Sequence, residues 1–431
     1  MTRMEELARL MRSLEDQLVV CMKCGMCQAV CPLFAETGRE ADVARGKLAL
    51  LEGLMQQMFE DPEGVRRRLD KCLLCGSCAA NCPSGVNVLE IFIKARAILA
   101  GFQGLPPAKR AIFRGMLAHP ALFDKIAEWG ARFQKLFTKP ASDVIGTSCA
   151  RFVSPLIGDR HFRPLARTPF HHRLPRLDTP AGASGLKVAF YVGCLADKIF
   201  PDLAQAVVDV LTHHGVGVFM PENQACCGIP AVSSGDTETF ERLVRHNLRL
   251  FEGQRFDGLV TACATCTATI REIWPMMTAS DERLHARVRQ LADRTFDISQ
   301  FLVSRVGVAA LPEREGDACV TYHDPCHLKK SLNVWREPRV VIEASRGYRL
   351  QEMPEADRCC GMGGSFNLQH YDLSGRIGER KRDNILSSGC ATVATGCPAC
   401  MLQISDVLSK AGADVRVKHT LELYAESLKA R

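Results

Sequence analysis

Two short cysteine runs constrain this chain more than any other feature. The first is CMKCGMCQAVCP, with Cys21, Cys24, Cys27, Cys31 and Pro32; the second is CLLCGSCAANCP, with Cys72, Cys75, Cys78, Cys82 and Pro83. Both follow C-x2-C-x2-C-x3-C-P, the thiolate spacing that holds [4Fe–4S] clusters. Three thiolates in one loop wrap one corner of a cubane, and the fourth reaches the neighbouring cluster. The runs therefore predict one cubane on Cys21, Cys24, Cys27 and Cys82, and a second on Cys72, Cys75, Cys78 and Cys31. Zinc is the competing reading. Its sites pair C-x2-C with a distant pair and need only four ligands, which leaves the triple run and its Cys-Pro unexplained.

The residues around these runs read as helices. Met4, Leu7, Met11, Leu14 and Leu18 recur at helical spacing in the opening segment. Between the runs, Leu50, Leu51, Leu54, Met58 and Phe59 form an expected apolar face, and VNVLEIFIKARAILAG follows the second run as another helix. Residues 1–103 are thus expected to be a helical ferredoxin-type domain with two [4Fe–4S] clusters. Arg39 and Arg45 lie near the clusters in sequence, and the favoured reading pairs them with local acids or solvent. Residues 104–185 form a connecting segment, helical after Pro107 and then rich in Pro, Arg and His. Its Arg160, Arg163, Arg167, Arg173 and Arg176 suit a partner subunit, an anionic lipid surface or plain solvation. His171 and His172 lack a second spaced pair and are not read as a metal site.

From Leu186 the pattern changes. The runs LKVAFYVGC, FDGLVTACATC, DACVTYHDPC and CATVATGCPAC read as strands that end on cysteine, with helices such as PDLAQAVVDVLTHHG between them. Alternating strands and helices predict parallel sheets, whose ligands sit at the C-terminal strand ends. Cys194, Cys226, Cys227, Cys263 and Cys266 follow C-x31-CC-x35-C-x2-C, and Cys326, Cys359, Cys360, Cys397 and Cys400 repeat it as C-x32-CC-x36-C-x2-C. This is an internal duplication over residues 186–312 and 313–431. The fold class expected is α + α/β, an N-terminal helical two-cluster module followed by two duplicated α/β modules.

Adjacent cysteines are poor disulfide partners. Neighbouring Cα atoms lie about 3.8 Å apart, whereas ordinary bridges want roughly 4.4 Å or more. Metal ligation accounts for all five positions together. The glycine after each pair, Gly228 or Gly361, lets the backbone turn tightly. His323 and His327 flank Cys326 and are read as outer-sphere or packing residues. Cys149, Cys319 and Cys390 fall outside the four sets and are expected to be ordinary buried cysteines.

YVGC…CCGIP…CATC and HDPCHL…CCGMGGSFN…CPAC resemble the CCG-domain iron–sulfur family, which includes heterodisulfide reductase and the glycolate oxidase and lactate dehydrogenase iron–sulfur subunits. The order of modules is that of the glycolate oxidase subunit. Members of that branch often lack the last cysteine of a module, whereas Cys266 and Cys400 are both present here, as in the heterodisulfide pattern. The resemblance implies a further iron–sulfur cluster on each five-cysteine set, non-cubane [4Fe–4S] in the heterodisulfide branch, with zinc or a cubane left open.

No G-x-G-x-x-G follows a strand, and no Walker A run or H-E-x-x-H is present. Hydride chemistry needs an organic cofactor, whereas iron–sulfur centres carry single electrons. The resemblance implies an oxidoreductase subunit that takes electrons from a flavoprotein acting on lactate or glycolate and passes them to a quinone or other carrier. The alternative is a heterodisulfide-reductase-like subunit that reduces a disulfide or quinone itself. A net charge of +7 over 431 residues gives no case for nucleic acid. The opening segment mixes acids and bases and does not read as a signal peptide. With no apolar run long enough to span a bilayer, the expected setting is the reducing cytoplasm, with peripheral contact to the inner membrane face left open.

Overall fold

A computed structural model describes residues 2–152, 158–312 and 316–429. The chain divides into two compact units. One gathers residues 1–118, 228–242 and 361–377; the other gathers 119–227, 243–360 and 378–431.

The first unit is helical. Thr2 caps Arg3–Met11 with a capping box to Glu5, and Leu7, Met11, Leu14 and Leu18 are buried as their spacing predicts. Helix Ala44–Met55 buries Leu48, Leu51 and Leu54. The expected apolar face ran on to Met58 and Phe59. The helix instead stops at Met55, Gln57 turns left-handed, and Met58 is 72% exposed. Helix Val88–Gln103 buries Ile91, Phe92, Ala95 and Leu99. The stretch that follows each CCG motif, residues 228–242 and 361–377, belongs to this unit. Arg96, fully buried on helix Val88–Gln103, donates to the Ser233 carbonyl at 2.7 Å.

The second unit carries the sheets. A hairpin, β1 (Thr138–Ser142) and β2 (Thr147–Ala150), pairs antiparallel within the connecting segment. The first sheet uses β3 (Leu177–Asp178), β4 (Lys187–Phe190), β5 (Gly217–Met220), β6 (Gly258–Thr261) and β7 (Thr295–Asp297), in the order β3-β5-β4-β6-β7. The second uses β8 (Ala318–His323), β9 (Tyr348–Leu350), β10 (Thr392–Thr395) and β11 (Arg416–His419), in the order β11-β10-β8-β9. Lys187 on β4 faces Gly217 on β5, and Val188 faces Gly258 on β6, both in parallel register. In the second sheet, Ala318 on β8 faces Tyr348 and Val320 faces Thr392, again parallel. Matching β4, β5, β6 and β7 to β8, β9, β10 and β11 gives the same strand order, so the duplication read in the cysteines is also one of topology. The first sheet has one addition, the antiparallel edge strand β3. The strands β5, β6 and β10 are buried along their whole length, because both faces of a parallel sheet are covered, whereas the edge strands β9 and β11 carry Arg349, Arg416 and Lys418. Val320, Tyr322, Ala394, Ile342 and Leu423 form one fully buried cluster beneath the second sheet.

Candidate metal centres

In the first unit the two cysteine runs line two cavities. Cys31, Cys72, Cys75 and Cys78 line one; Cys21, Cys24, Cys27 and Cys82 line the other, with Cys78 also on its wall. Each loop takes the same shape. Lys23 and Leu74, one residue before the second cysteine of each run, are left-handed, with φ of 58° and 54°. That turn brings successive thiols round one centre. Backbone N–H groups face the sulfurs, from Phe34 to Cys31, Leu74 to Cys72 and Val86 to Cys82, each at 3.4 Å. Such bonds favour anionic sulfur and tune cluster potential.

Buried thiols resist ionisation on their own. Burial pushes Cys31 up to about 11 and Cys78 well above the usual thiol range. A cationic iron core reverses that balance, so the donor set fits an iron–sulfur group. Lys47 adds a buried ammonium to the wall of the Cys31 cavity. Burial lowers its pKa, and the Cys72 and Cys31 sulfurs oppose that. Sequence reading passed over Lys47, although its spacing to Leu51 and Leu54 put a charge on an apolar helix face. Arg45 pairs with Glu40 at 2.7 Å, the local acid expected, and also donates to the Lys23 carbonyl in the first loop at 3.2 Å.

In the second unit each five-cysteine set gathers at the C-terminal ends of three parallel strands. Cys194 follows β4 and opens a short helix, Cys226 and Cys227 follow β5, and Cys263 and Cys266 follow β6. Cys326, Cys359, Cys360, Cys397 and Cys400 hold the same places after β8, β9 and β10. Nine of these ten thiols are buried, and Cys194 is partly exposed. Cys194 and Cys226 Sγ lie 3.9 Å apart. A Cβ on Gly193, where φ is 77°, would sit 3.3 Å from the Cys266 sulfur, so glycine is required there.

Three buried side chains fix the first vicinal pair. Tyr191 Oη donates to the Ala225 carbonyl at 2.6 Å, and Asn247 Nδ2 donates to the Cys226 carbonyl at 3.1 Å. Trp274 Nε1 donates to the Cys227 carbonyl at 2.9 Å. None was singled out from sequence, because a buried aromatic or amide carries no spacing signal of its own. In the second module, Lys381 does comparable work, donating to the carbonyls of Glu355 at 2.6 Å and Ala356 at 3.2 Å. It sits midway between the buried Ile377 and Ile385 on one helix face, a signal that was present in the sequence.

His323 lies among the thiols of the second module. It is fully buried and within ligand reach of Cys360 and Cys400. Neither ring nitrogen has another hydrogen-bond partner. The hydrogen bond of His323 to the Cys360 thiol is among the causes that lower Cys360, and metal or sulfide at this centre would satisfy the rest of a costly buried imidazole. The corresponding residue of the first module is Tyr191, so the two sites differ here. His327 takes an outer role: its Nδ1 meets Thr265 Oγ1 at 3.1 Å, and Thr265 Oγ1 meets Cys397 Sγ at 3.5 Å.

The two sites adjoin. Ala264 N donates to the Gly396 carbonyl at 3.1 Å, and the Cys263 and Cys397 thiols hydrogen-bond to each other. The bond from Cys263 is the main cause that lowers Cys397, while Cys266 is raised first by its bond to Cys227. So many packed thiols cannot ionise together without cations between them.

All three remaining cysteines differ from expectation. Cys319 on β8 and Cys390, which precedes β10, form a disulfide, because the parallel pairing of these strands brings their Cα atoms to 5.0 Å. Cys149 on β2 is partly exposed rather than buried, as suits a two-stranded hairpin.

A cysteine-rich (CCG) domain model matches residues 188–271 and 320–405, and a 4Fe-4S dicluster domain model matches residues 17–86. The chain belongs to the CCG iron–sulfur protein family. It is 28% identical over 428 residues to the probable glycolate oxidase iron–sulfur subunit of Bacillus subtilis, covering 96% of this chain and 94% of that one. It is 29% identical over 412 residues to one of the subunits of the CoM/CoB fumarate reductase of Methanothermobacter marburgensis, covering 94% and 71%. Lactate utilization protein A of an Exiguobacterium species is 31% identical over 242 residues, which span 56% of this chain and 98% of that one. The chain is therefore an iron–sulfur protein with a redox role, and no described helix is long and apolar enough to cross a membrane.

Proposed function

We propose that this chain is the electron-transfer subunit of a flavin-dependent 2-hydroxy-acid dehydrogenase, passing electrons from a partner flavoprotein that oxidises lactate or glycolate to a quinone or another carrier. The observation that carries the reading is the adjacency of the two five-cysteine sites through Cys263 and Cys397, in a chain with two further cysteine-lined cavities. The glycolate oxidase and lactate utilization relatives support the substrate class.

In this reading Cys21, Cys24, Cys27 and Cys82 hold one [4Fe–4S] cubane, and Cys72, Cys75, Cys78 and Cys31 hold another. Cys194, Cys226, Cys227, Cys263 and Cys266 hold a third cluster. Cys326, Cys359, Cys360, Cys397 and Cys400 hold a fourth, with His323 beside it. Bound clusters of this kind accept and release single electrons. The protein's part is to exclude water, fix the thiolates and set the local charge. Lys47 and Lys381 place buried cations beside sulfur and favour the reduced state.

A second reading, reduction of a disulfide or quinone at a CCG centre by this chain itself, is favoured by the completeness of both five-cysteine sets and by the CoM/CoB fumarate reductase relative. One experiment separates the two. The protein is isolated anaerobically from its native cell and lactate or glycolate is added. The first reading predicts a co-purifying flavoprotein and bleaching of the cluster absorption by one of the acids. Clusters that stay oxidised with both acids, yet respond to a thiol–disulfide couple, would establish the second.

A further inference from the structure

Helix Pro120–Phe137 is built inside out. Its apolar residues Leu122, Ile126, Trp129, Phe133 and Leu136 recur at steps of four, three, four and three, so they share one face. That face points to solvent: the five are 42–70% exposed, and Phe137 beside them is 60% exposed. On the opposite side only Ala131 is buried.

Polar contacts hold this orientation. Asp124 pairs with Lys198 at 2.7 Å, and Glu128 meets both His171 and His172 at 3.3 Å. Gln134 bonds the backbone of Leu165 twice, at 2.8 and 2.9 Å. The side chain of Leu165 packs so close to Gly130 that an added Cβ would lie 3.0 Å from it. The helix thus spends its two acids inward and leaves its cations outward. Lys125, Arg132 and Lys135 are exposed, as is Lys139 just past its end.

We infer that this helix docks the protein on an anionic lipid surface. An apolar stripe with tryptophan at its centre, bordered by Lys and Arg and cleared of acids, is the pattern of a helix lying in the membrane interface. Protein–protein interfaces are depleted in lysine, so the basic border favours lipid headgroups over a protein partner. Leu122, Ile126, Trp129, Phe133, Leu136 and Phe137 enter the acyl boundary, and Lys125, Arg132 and Lys135 reach the phosphates. The inference rests on the helix alone and stands whichever acid the complex oxidises.

The test is flotation of the anaerobically purified holoprotein with vesicles of phosphatidylglycerol and phosphatidylcholine in equal parts, beside vesicles of phosphatidylcholine alone. The wild type is expected to float with the anionic vesicles, and at least roughly 10-fold less with the neutral ones or at high salt. Trp129→Glu with Phe133→Glu should cut anionic binding by about 10-fold or more, and Lys125→Glu with Arg132→Glu should do the same. Cluster absorption should not change in either variant. In wild-type protein, acyl-brominated lipid should quench a fluorescence component that Trp129→Phe removes, a readout that needs no folded double variant. No flotation, or binding unaffected by Trp129→Glu with Phe133→Glu, would overturn the inference. So would variants that keep vesicle binding but lose a co-purifying protein, since the face would then belong to that protein.

Discussion

Lys381 sets an ammonium beside the second vicinal pair. Burial lowers its pKa to about 8, the Cys360 and Cys326 sulfurs oppose that fall, and at pH 7 the group keeps its proton. A cation beside a cluster favours the added electron. Lys381→Met should therefore shift one cluster potential to more negative values, read by an EPR-monitored redox titration, and leave the others in place. It also removes one of the two donors to each of the Glu355 and Ala356 carbonyls, which keep the Arg358 and Asp324 N–H groups, at a cost of about 1 kcal/mol in unfolding. A potential unchanged by the substitution would separate Lys381 from the redox centre. Such residues show how far a sequence speaks at this scale. Spacing named eighteen cysteines, because ligand geometry forces spacing. Tyr191, Asn247 and Trp274 support the first pair through backbone carbonyls, and a carbonyl has no sequence of its own. His323 was visible beside Cys326, but its burial follows from the end of β8 and not from its neighbours in HDPC.

Among elements, the turn after each vicinal pair is the most tightly specified. Gly228 and Gly361 have φ of 94° and 96°, and a Cβ on Gly228 would lie 2.7 Å from the Phe240 ring. Gly228→Ala combines left-handed strain with that contact and should cost about 1–3 kcal/mol. Iron content should fall by about the complement of one cluster, measured against the wild type; a variant of full iron content and unchanged melting temperature would refute the assignment. Helix Pro120–Phe137 offers a pH test. Burial raises Asp197, but the hydrogen bond from His171 and the charge of Lys198 outweigh it and hold the carboxyl at about 2. His171 is raised, first by its hydrogen bond to Asp197. The Asp197 contribution, on the order of 2 kcal/mol, is present above about pH 4 and fades as pH falls toward 2. The His171 contribution is complete below about pH 6.5 and fades as pH rises through its raised value. His171→Gln should therefore lower the melting temperature most near pH 5 and least near pH 9; a deficit equal at both would contradict the ion pair. The periodicity of residues 107–137 announced a helix, but periodicity cannot say which face turns inward. That choice came from Asp124, Glu128 and Gln134 finding partners in segments far along the chain.

At the scale of the whole molecule, duplication explains why the second half was so readable. Two copies of one strand order place two copies of one ligand set, so spacing and topology repeat together. The connecting segment has no such repeat. Its hairpin β1–β2 and edge strand β3 are short, and Pro and Arg conceal their alternation. Nor does spacing reveal that residues 228–242 and 361–377 join the compact unit of the ferredoxin-type runs, because compactness is a property of long-range contact. The central claim is that the four cysteine sets hold iron and sulfide. Quantifying iron, acid-labile sulfide and zinc in anaerobically purified protein, for wild type and for Cys226→Ser with Cys227→Ser, tests it most directly. Four four-iron clusters predict about 16 irons with matching sulfide per wild-type chain, and about four fewer in the double variant. A colourless protein that carries zinc in place of iron, or a double variant with unchanged iron, would contradict it.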